Sequence, residues 1–304
     1  MDRTKSIFIF LFFVVVVGCA THKPQLKTEN FLAEILAHPT TIAGVELQSR
    51  YWSHEKYLVH FISNVNENNR NLAPIIYIHG LGGNLEDFSE LIKLVHAGKN
   101  TRPFYAIDLP AFGKSFTSNA DVSIQKYSEM LRDFISTLAI PKINLVCHSM
   151  GGQVCINYAL ANSEKIKLLT LIDVAGVYQR SDYVNQTIHQ HLGINSGLVD
   201  LPGSTSLGEL VWYNQQFTRK MITSNPLVLM AIESYKENFH DRIHELKTKT
   251  LIIWGRDDKV FNFENGLYLK ENIENASLYI IDNADHTPFA SHAKFISTLI
   301  QNHL

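Results

Sequence analysis

In the stretch NLVCHSMGG, residues 144–152, the residue pattern changes from strand-like to helix-like at Ser149. The residues before Ser149 are apolar and typical of a strand, whereas those after it are typical of the start of a helix. Small residues flank the serine on both sides, with Cys147 two positions before it and Gly151 two positions after it. Small residues let two backbone segments approach without a clash of Cβ atoms. The stretch therefore predicts an α/β fold in which a sharp strand-to-helix turn exposes the hydroxyl group of Ser149.

The chain around this turn alternates between short β-rich runs and helical stretches. The first two runs are adjacent and hairpin-like, whereas the later ones are separated by helical crossovers such as residues 123–138. This order predicts an eight-stranded, mostly parallel sheet with helices on both faces, built from residues 43–177 and 247–304. The eight strand candidates are residues 45–51, 57–62, 74–78, 104–107, 143–146, 168–173, 250–254 and 278–281.

The alternation breaks once, between residues 178 and 246. This segment loses its strand signals and carries aromatic and apolar residues at helical intervals, among them Trp212, Phe217 and Met221. It predicts a helical cap inserted after the sixth strand. Residues 19–42, before the first strand, are predicted to form a tether and a short helix.

The N-terminus has the pattern of an export signal. Arg3 and Lys5 precede an apolar run of residues 7–17, which is shorter than the ~20 residues that span a bilayer as a helix. The residues around Cys19 resemble the lipobox of bacterial lipoproteins. That resemblance implies removal of residues 1–18, acylation of Cys19 and a lipid anchor, with alanine at position 20 favouring the outer membrane, facing the periplasm or the exterior. Secretion with cleavage near residue 20 and an uncleaved membrane anchor are the alternatives.

Two cysteines remain after Cys19. Cys147 ends a predicted strand and Cys155 lies two turns into the following helix, so we expect two buried thiols without a disulfide, even in an oxidising compartment. The net charge of −2 and the absence of a Lys/Arg stripe argue against a protein that binds nucleic acid through its charge. No cluster with metal-ligand spacing and no phosphate-loop spacing occurs, so neither a metal nor another cofactor is expected.

A serine hydroxyl needs a base within hydrogen-bond reach and a third group that orients the base. The carboxyl ends of parallel strands meet at one edge of a sheet, so the partners should directly follow strands. Asp258 follows the seventh strand candidate and His286 follows the eighth. Ser149, Asp258 and His286 therefore occur in the order nucleophile, acid and base.

Four separated motifs resemble those of α/β-hydrolase fold enzymes, over essentially all of the chain after the leader. They are HGLGG at residues 79–83, DLPAFGKS at 108–115, the turn around Ser149, and GRDD at 255–258. Cys147 and Ala111 stand where the family usually has glycine, as does Asp285 before the histidine. A carboxylate at position 285 either favours protonation of His286 or points into solvent.

The resemblance implies a cofactor-independent serine hydrolase. Asp258 occupies the acid position of the family, with Asp257 and Asp173 as alternatives. The oxyanion would be bound by the backbone N–H groups of Leu81 and Met150. The supporting residues would be His79, Gly80, His148 and Gly151.

The segment around Ser149 is similar to that of monoacylglycerol lipases and small esterases. This similarity implies hydrolysis of carboxylic esters that have an apolar acyl or aromatic portion, by an enzyme tethered to a membrane through Cys19. The residues 254–258 also resemble meta-cleavage product hydrolases, so hydrolysis of a carbon–carbon bond is the alternative within enzymes. Perhydrolysis by the same residues and a non-catalytic binding protein on this scaffold also remain open.

Overall fold

The strand that leads to Ser149 belongs to a ten-stranded sheet. The computed structural model describes residues 40–42, 45–54, 57–97, 102–117, 122–177 and 226–304. The strands are β1 Thr40–Ile42, β2 Val45–His54, β3 Tyr57–Ser63, β4 Ile75–Ile78, β5 Phe104–Ile107, β6 Phe116–Thr117, β7 Ile143–His148, β8 Ile166–Ile172, β9 Thr250–Gly255 and β10 Ala276–Ile281.

The described helices lie in the connections between the strands and after the last strand. The α-helices are α1 Ser89–Val95, α2 Ile124–Thr137, α3 Met150–Asn162, α4 Pro226–Lys236, α5 Glu264–Asn272, α6 Pro288–Ser291 and α7 Ala293–His303. Three short 3₁₀ helices span Leu85–Phe88, Ser163–Lys165 and His240–Glu245.

The sheet has the predicted mostly parallel topology. Its strand order is β1-β2-β3-β5-β4-β7-β8-β9-β10, with β6 paired to β3. The strand pairs β5–β4, β4–β7, β7–β8, β8–β9 and β9–β10 are parallel. The pairs β2–β3 and β3–β5 are antiparallel. All eight predicted strands are confirmed. The two additional strands, β1 and β6, are three and two residues long, too short to show a period-2 pattern.

The central strand β4 shows why both faces of the sheet need a cover of helices. All four of its residues are fully buried. Ile76 and Ile78 pack in one apolar cluster with residues of α2 and α3, whereas Ile75 and Tyr77 pack in a second cluster with residues of α1 and α7. Successive side chains of a strand point to opposite faces. The apolar run therefore produces two cores, and the helices that cover them leave the carboxyl edge of the sheet for the loops.

The predicted cap, residues 178–246, lies outside the described residues up to residue 225. Residues 226–246 belong to the same compact unit as the sheet. The side chain of Gln153 donates hydrogen bonds to the backbone oxygens of Ser234 at 2.7 Å and Glu237 at 2.8 Å, and the N–H of Phe239 bonds to the oxygen of Gly176.

The leader, Cys19 and the tether up to residue 39 also lie outside the described residues. In the part of the chain that the structure describes, every helix is too short or too polar to cross a bilayer.

The expectation of two free thiols is wrong, because Cys147 and Cys155 form a disulfide. The turn at Ser149 reverses the chain, so that α3 packs against the sheet from which β7 has just emerged. The Cα atoms of the two cysteines are 6.5 Å apart, within the range that a disulfide requires. The positions of the two cysteines, at a strand end and two turns into a helix, do not report how close this reversal brings them.

Candidate active site

The turn at Ser149 has the strained geometry that its small neighbours predicted. Ser149 has φ 50° and ψ −122°, a region that residues other than glycine rarely adopt. Its N–H donates to the oxygen of Ile172 at 3.1 Å. A Cβ atom on Gly151 would lie 2.4 Å from the backbone oxygen of His79 and 2.5 Å from that of Ile78. Only glycine fits at position 151, and this close approach accompanies the sharp turn at Ser149, a residue that is only 8% exposed.

His286 connects Ser149 with Asp258. Its Nε2 atom lies 3.0 Å from Oγ of Ser149, and its Nδ1 atom lies 2.9 Å from Oδ2 of Asp258. The ionised carboxylate of Asp258 can only accept a hydrogen bond, so the neutral imidazole carries its proton on Nδ1. Nε2 is then free to accept the proton of the serine hydroxyl. The structure thus brings together the three side chains that strand order selected from the sequence.

The carboxylate of Asp258 is held at both oxygens. Its Oδ1 atom accepts the backbone N–H groups of Val260 at 2.7 Å and Phe261 at 3.0 Å, while Oδ2 faces the imidazole of His286. The side chain of Asp258 is fully buried, whereas its neighbour Asp257 is exposed. Of the two adjacent aspartates, Asp258 is the one that orients His286.

The turn at Gly255 and the loop that carries His286 are packed backbone against backbone. A Cβ atom on Gly255 would lie 2.2 Å from the backbone oxygen of Asp285. The exposed carboxylate of Asp285 accepts the N–H and the hydroxyl of Thr287, and the first of these bonds is the largest cause of its lowered pKa. The carboxylate of Asp285 therefore stabilises the backbone turn at Thr287.

The loop after β4 lies directly beside Ser149. A Cβ atom on Gly80 would be only 3.0 Å from Cβ of Ser149. The backbone oxygen of Gly80 accepts hydrogen bonds from Nδ1–H of His79 at 2.7 Å and from the N–H of Gly83 at 3.2 Å. The N–H of Leu81 belongs to the same trans peptide as the oxygen of Gly80 and points in the opposite direction. The hydrogen bonds to this oxygen therefore fix the orientation of the N–H of Leu81.

The second predicted donor, the N–H of Met150, is at the first residue of α3. The first four N–H groups of a helix have no acceptor within the helix. Both predicted oxyanion donors therefore occur on backbone segments next to Ser149.

Comparison with known proteins identifies the fold of the chain. A family model described as alpha/beta hydrolase fold matches residues 73–195.

The chain has the α/β-hydrolase fold.

Its relatives include enzymes with different substrates. The chain is 23% identical to the 2-hydroxy-6-oxononadienedioate/2-hydroxy-6-oxononatrienedioate hydrolase of Cupriavidus pinatubonensis over 265 residues, which cover 79% of this chain and 89% of the relative. It is 23% identical to Lipase 1 of Psychrobacter immobilis over 300 residues, which cover 92% of this chain and 90% of the lipase. Among solved structures, a bacterial membrane phospholipase A superposes with a TM-score of 0.68 at 18% identity, covering 99% of this chain and 98% of the other.

Two buried histidines of this α/β-hydrolase-fold chain support the loops of the site. Nε2–H of His148 donates to the backbone oxygen of His286 at 2.8 Å. Burial is the largest cause that lowers the pKa of His148 to about 3, and the neighbouring His286 lowers it further. Burial also lowers the pKa of His79, which accepts the N–H of Leu109 at 3.0 Å. Both rings are therefore neutral at ordinary pH and act as fixed donors and acceptors.

Asp108 joins the loop beside Ser149 to the antiparallel part of the sheet. Its carboxylate accepts Nδ1–H of His60 at 2.7 Å and the N–H groups of Leu85 and Lys114, each at 2.8 Å. Burial alone would raise the pKa of Asp108, but these hydrogen bonds outweigh it and lower the pKa. Sequence reasoning found Asp108 in its motif but missed His60, which lies 48 residues earlier without a motif of its own.

Among the described residues, no group of three His, Cys, Asp or Glu side chains could hold a metal ion. The expectation that the protein needs neither metal nor other cofactor stays a prediction.

Proposed function

We propose that this protein is a serine hydrolase of carboxylic esters. The observation that carries the proposal is the unbroken hydrogen-bond chain from the hydroxyl of Ser149 through the imidazole of His286 to the buried carboxylate of Asp258. A hydroxyl is a weak nucleophile until a base accepts its proton, and an oriented imidazole with a free Nε2 is such a base.

The first half of the reaction forms an acyl-enzyme. Oγ of Ser149 attacks the acyl carbonyl carbon while its proton moves to Nε2 of His286, and Asp258 stabilises the imidazolium. The negative charge that develops on the carbonyl oxygen is met by the N–H groups of Leu81 and Met150, each worth about 3 to 4 kcal/mol in comparable sites. His286 then returns the proton to the leaving alcohol oxygen, and the bond between the acyl carbon and that oxygen breaks.

The second half of the reaction consumes water. His286 accepts a proton from a water molecule, whose oxygen attacks the acyl carbon, and the same two N–H groups bind the oxyanion again. Collapse of this intermediate returns the proton to Oγ of Ser149 and releases the carboxylic acid. Serine and imidazole end in their starting states.

Large apolar side chains next to the site support a substrate with an apolar portion. Leu81, on the loop beside Ser149, is 42% exposed, and Val260, whose N–H binds Asp258, is 43% exposed. The ring of Phe261 lies 5.4 Å from the ring of His286. Ligand sites are lined mainly by apolar and aromatic side chains with a few polar groups.

The proposal includes export and lipid anchoring at Cys19. The disulfide between Cys147 and Cys155 supports export, because disulfides persist in oxidising compartments. The lipobox-like residues before Cys19 support acylation there. An intact mass of the mature protein tests this part: we expect loss of residues 1–18 and the added mass of acyl chains.

The ester proposal is tested with short- and medium-chain p-nitrophenyl esters. We expect turnover by the wild type and its loss in Ser149→Ala. Ser291→Ala is the matched control, because Oγ of Ser291 also lies beside a histidine, 2.8 Å from Nδ1 of His292, but Ser291 is an exposed residue outside the hydrogen-bond chain of the site. A fluorophosphonate probe should label the wild type and Ser291→Ala but not Ser149→Ala. Equal rates in wild type and Ser149→Ala would show that the assignment is wrong.

Hydrolysis of a carbon–carbon bond is the second candidate. The similarity to the dienedioate hydrolase of Cupriavidus pinatubonensis favours it, and the same serine and histidine could serve such a reaction. Turnover of a vinylogous diketone, measured beside the ester panel with the same variants, distinguishes the two. Faster hydrolysis of the diketone than of every ester would select this candidate.

A further inference from the structure

A second carboxyl group lies beside the proposed acid. Asp173 directly follows β8, is fully buried and has φ 44°, a backbone conformation unusual for a residue other than glycine. Its N–H donates to the oxygen of Ile253 at 3.1 Å, and its Oδ1 atom accepts the N–H of Gly255 at 2.8 Å. These bonds hold the side chain of Asp173 between the carboxyl ends of β8 and β9.

The other oxygen of Asp173 lacks a donor. Oδ2 is buried and accepts no hydrogen bond from any residue that the structure describes. Burial is the largest cause that raises the pKa of Asp173 well above its ordinary value, and Asp258 raises it further, both as a like charge and as a hydrogen-bond partner. The charge of Asp285 acts in the same direction. A buried carboxylate oxygen without a donor is costly, unless the group is protonated.

The hydrogen bonds decide which of the two aspartates carries the proton. Among the described residues, Asp258 accepts three hydrogen bonds, from the N–H groups of Val260 and Phe261 and from Nδ1–H of His286, whereas Asp173 accepts only the one from Gly255. Donors stabilise the ionised form of a carboxyl group, and two neighbouring carboxylates disfavour each other's charge. Asp258 therefore keeps the negative charge, and the proton resides on Asp173.

We propose that Asp173 is a neutral carboxylic acid whose O–H donates a hydrogen bond to the carboxylate of Asp258. This makes Asp173 a positioning residue, which acts on Ser149 only through Asp258 and His286. The proton supplies the donor that the pair would otherwise lack and leaves one negative charge opposite the imidazole. The protonation state stands on the contacts of Asp173 alone, whereas its effect on turnover rests on the proposed function.

Infrared spectroscopy of the full chain at neutral pH tests the protonation state without any need for activity. We expect the carbonyl stretch of a protonated carboxylic acid, which shifts when D₂O replaces water. The band should be absent from Asp173→Asn and present in Asp257→Asn, a control that removes the exposed carboxylate next to Asp258. A wild-type spectrum without the band, or a band that persists in Asp173→Asn, would overturn the proposal.

Steady-state kinetics test the positioning role. Asparagine keeps an acceptor for Gly255 and offers an N–H donor to Asp258, whereas leucine of similar size offers neither. We expect kcat of Asp173→Leu to be about tenfold below that of Asp173→Asn, with equal KM, because the loss affects orientation rather than substrate contact. Equal kcat in the two variants would refute the positioning role. If the leucine variant fails to fold, the spectra of the wild type and Asp173→Asn decide the proposal.

Discussion

Reduction of the Cys147–Cys155 disulfide should lower the free energy of unfolding by about 2.5 kcal/mol. The bond closes a short loop, since the two cysteines are separated by 8 residues in the sequence. For a loop of this length, the loss of chain entropy in the unfolded state corresponds to about 2.5 kcal/mol at 25 °C. For a domain of this size, that change lowers the melting temperature by about 5 °C. The loop contains Ser149, so the disulfide stabilises the turn that carries the proposed nucleophile.

Equilibrium unfolding in denaturant measures this effect, with and without a phosphine reductant. Both sulfur atoms are buried in the folded protein, so reduction is carried out on unfolded protein before refolding. The double variant Cys147→Ala/Cys155→Ala is the matched control, because the reductant should not move its unfolding midpoint. Any effect of the reductant on Cys19 would appear in this variant as well.

Two results would contradict a stabilising disulfide between Cys147 and Cys155. One is an unfolding midpoint of the wild type that is the same with and without reductant. The other is a peptide map of the unreduced protein in which Cys147 and Cys155 are both alkylated rather than joined in one cross-linked peptide.

Three further predictions concern the site. Asp258→Asn should reduce kcat on esters by roughly 10⁴-fold, because asparagine disfavours the reactive tautomer of the His286 imidazole. The control Asp257→Asn, at an exposed residue, should retain wild-type turnover. The opposite result would assign the acid to Asp257. Gly151→Ala should lower the free energy of unfolding by about 3 kcal/mol, because the new Cβ would overlap two backbone oxygens. Gly82→Ala is the control: Gly82 has φ +75° but open space around it, so the loss should be about 1 kcal/mol. Unfolding in denaturant measures both values. Burial lowers the pKa of His148 to about 3, so only the unfolded state gains this proton as the pH falls below 6.5. The stability of the wild type relative to His148→Gln should therefore fall by about 2 kcal/mol between pH 6.5 and 5, because the other titrating groups, Asp173 among them, are common to both proteins; an equal change of stability in the two proteins would contradict this.

Much of the fold and of the site was predictable because its signals are local. Apolar runs of four to seven residues report burial on both faces of a sheet, and they located all eight predicted strands. The small residues around Ser149 report a tight turn. Asp258 and His286 were selected by their positions after strands, and the structure places both within hydrogen-bond distance in the chain that ends at Ser149.

The misses share one physical cause. The bond between Cys147 and Cys155 depends on the reversal of the chain at Ser149, and the pairing of His60 with Asp108 depends on the position of β3 in the sheet. Asp173 and Asp258 interact because β8 and β9 are neighbours in the sheet, although the two residues are 85 positions apart in the sequence.

The order of strands and helices, the turn at Ser149 and the kinds of chemical group that follow each strand are readable from the amino-acid sequence. These features follow from backbone preference and apolar periodicity, which act over a few residues. Which groups meet, which cysteines join and which of two aspartates is proposed to hold a proton follow from the folded structure. Those outcomes depend on distances of a few ångströms between loops that only the packing of the sheet and its helices brings together.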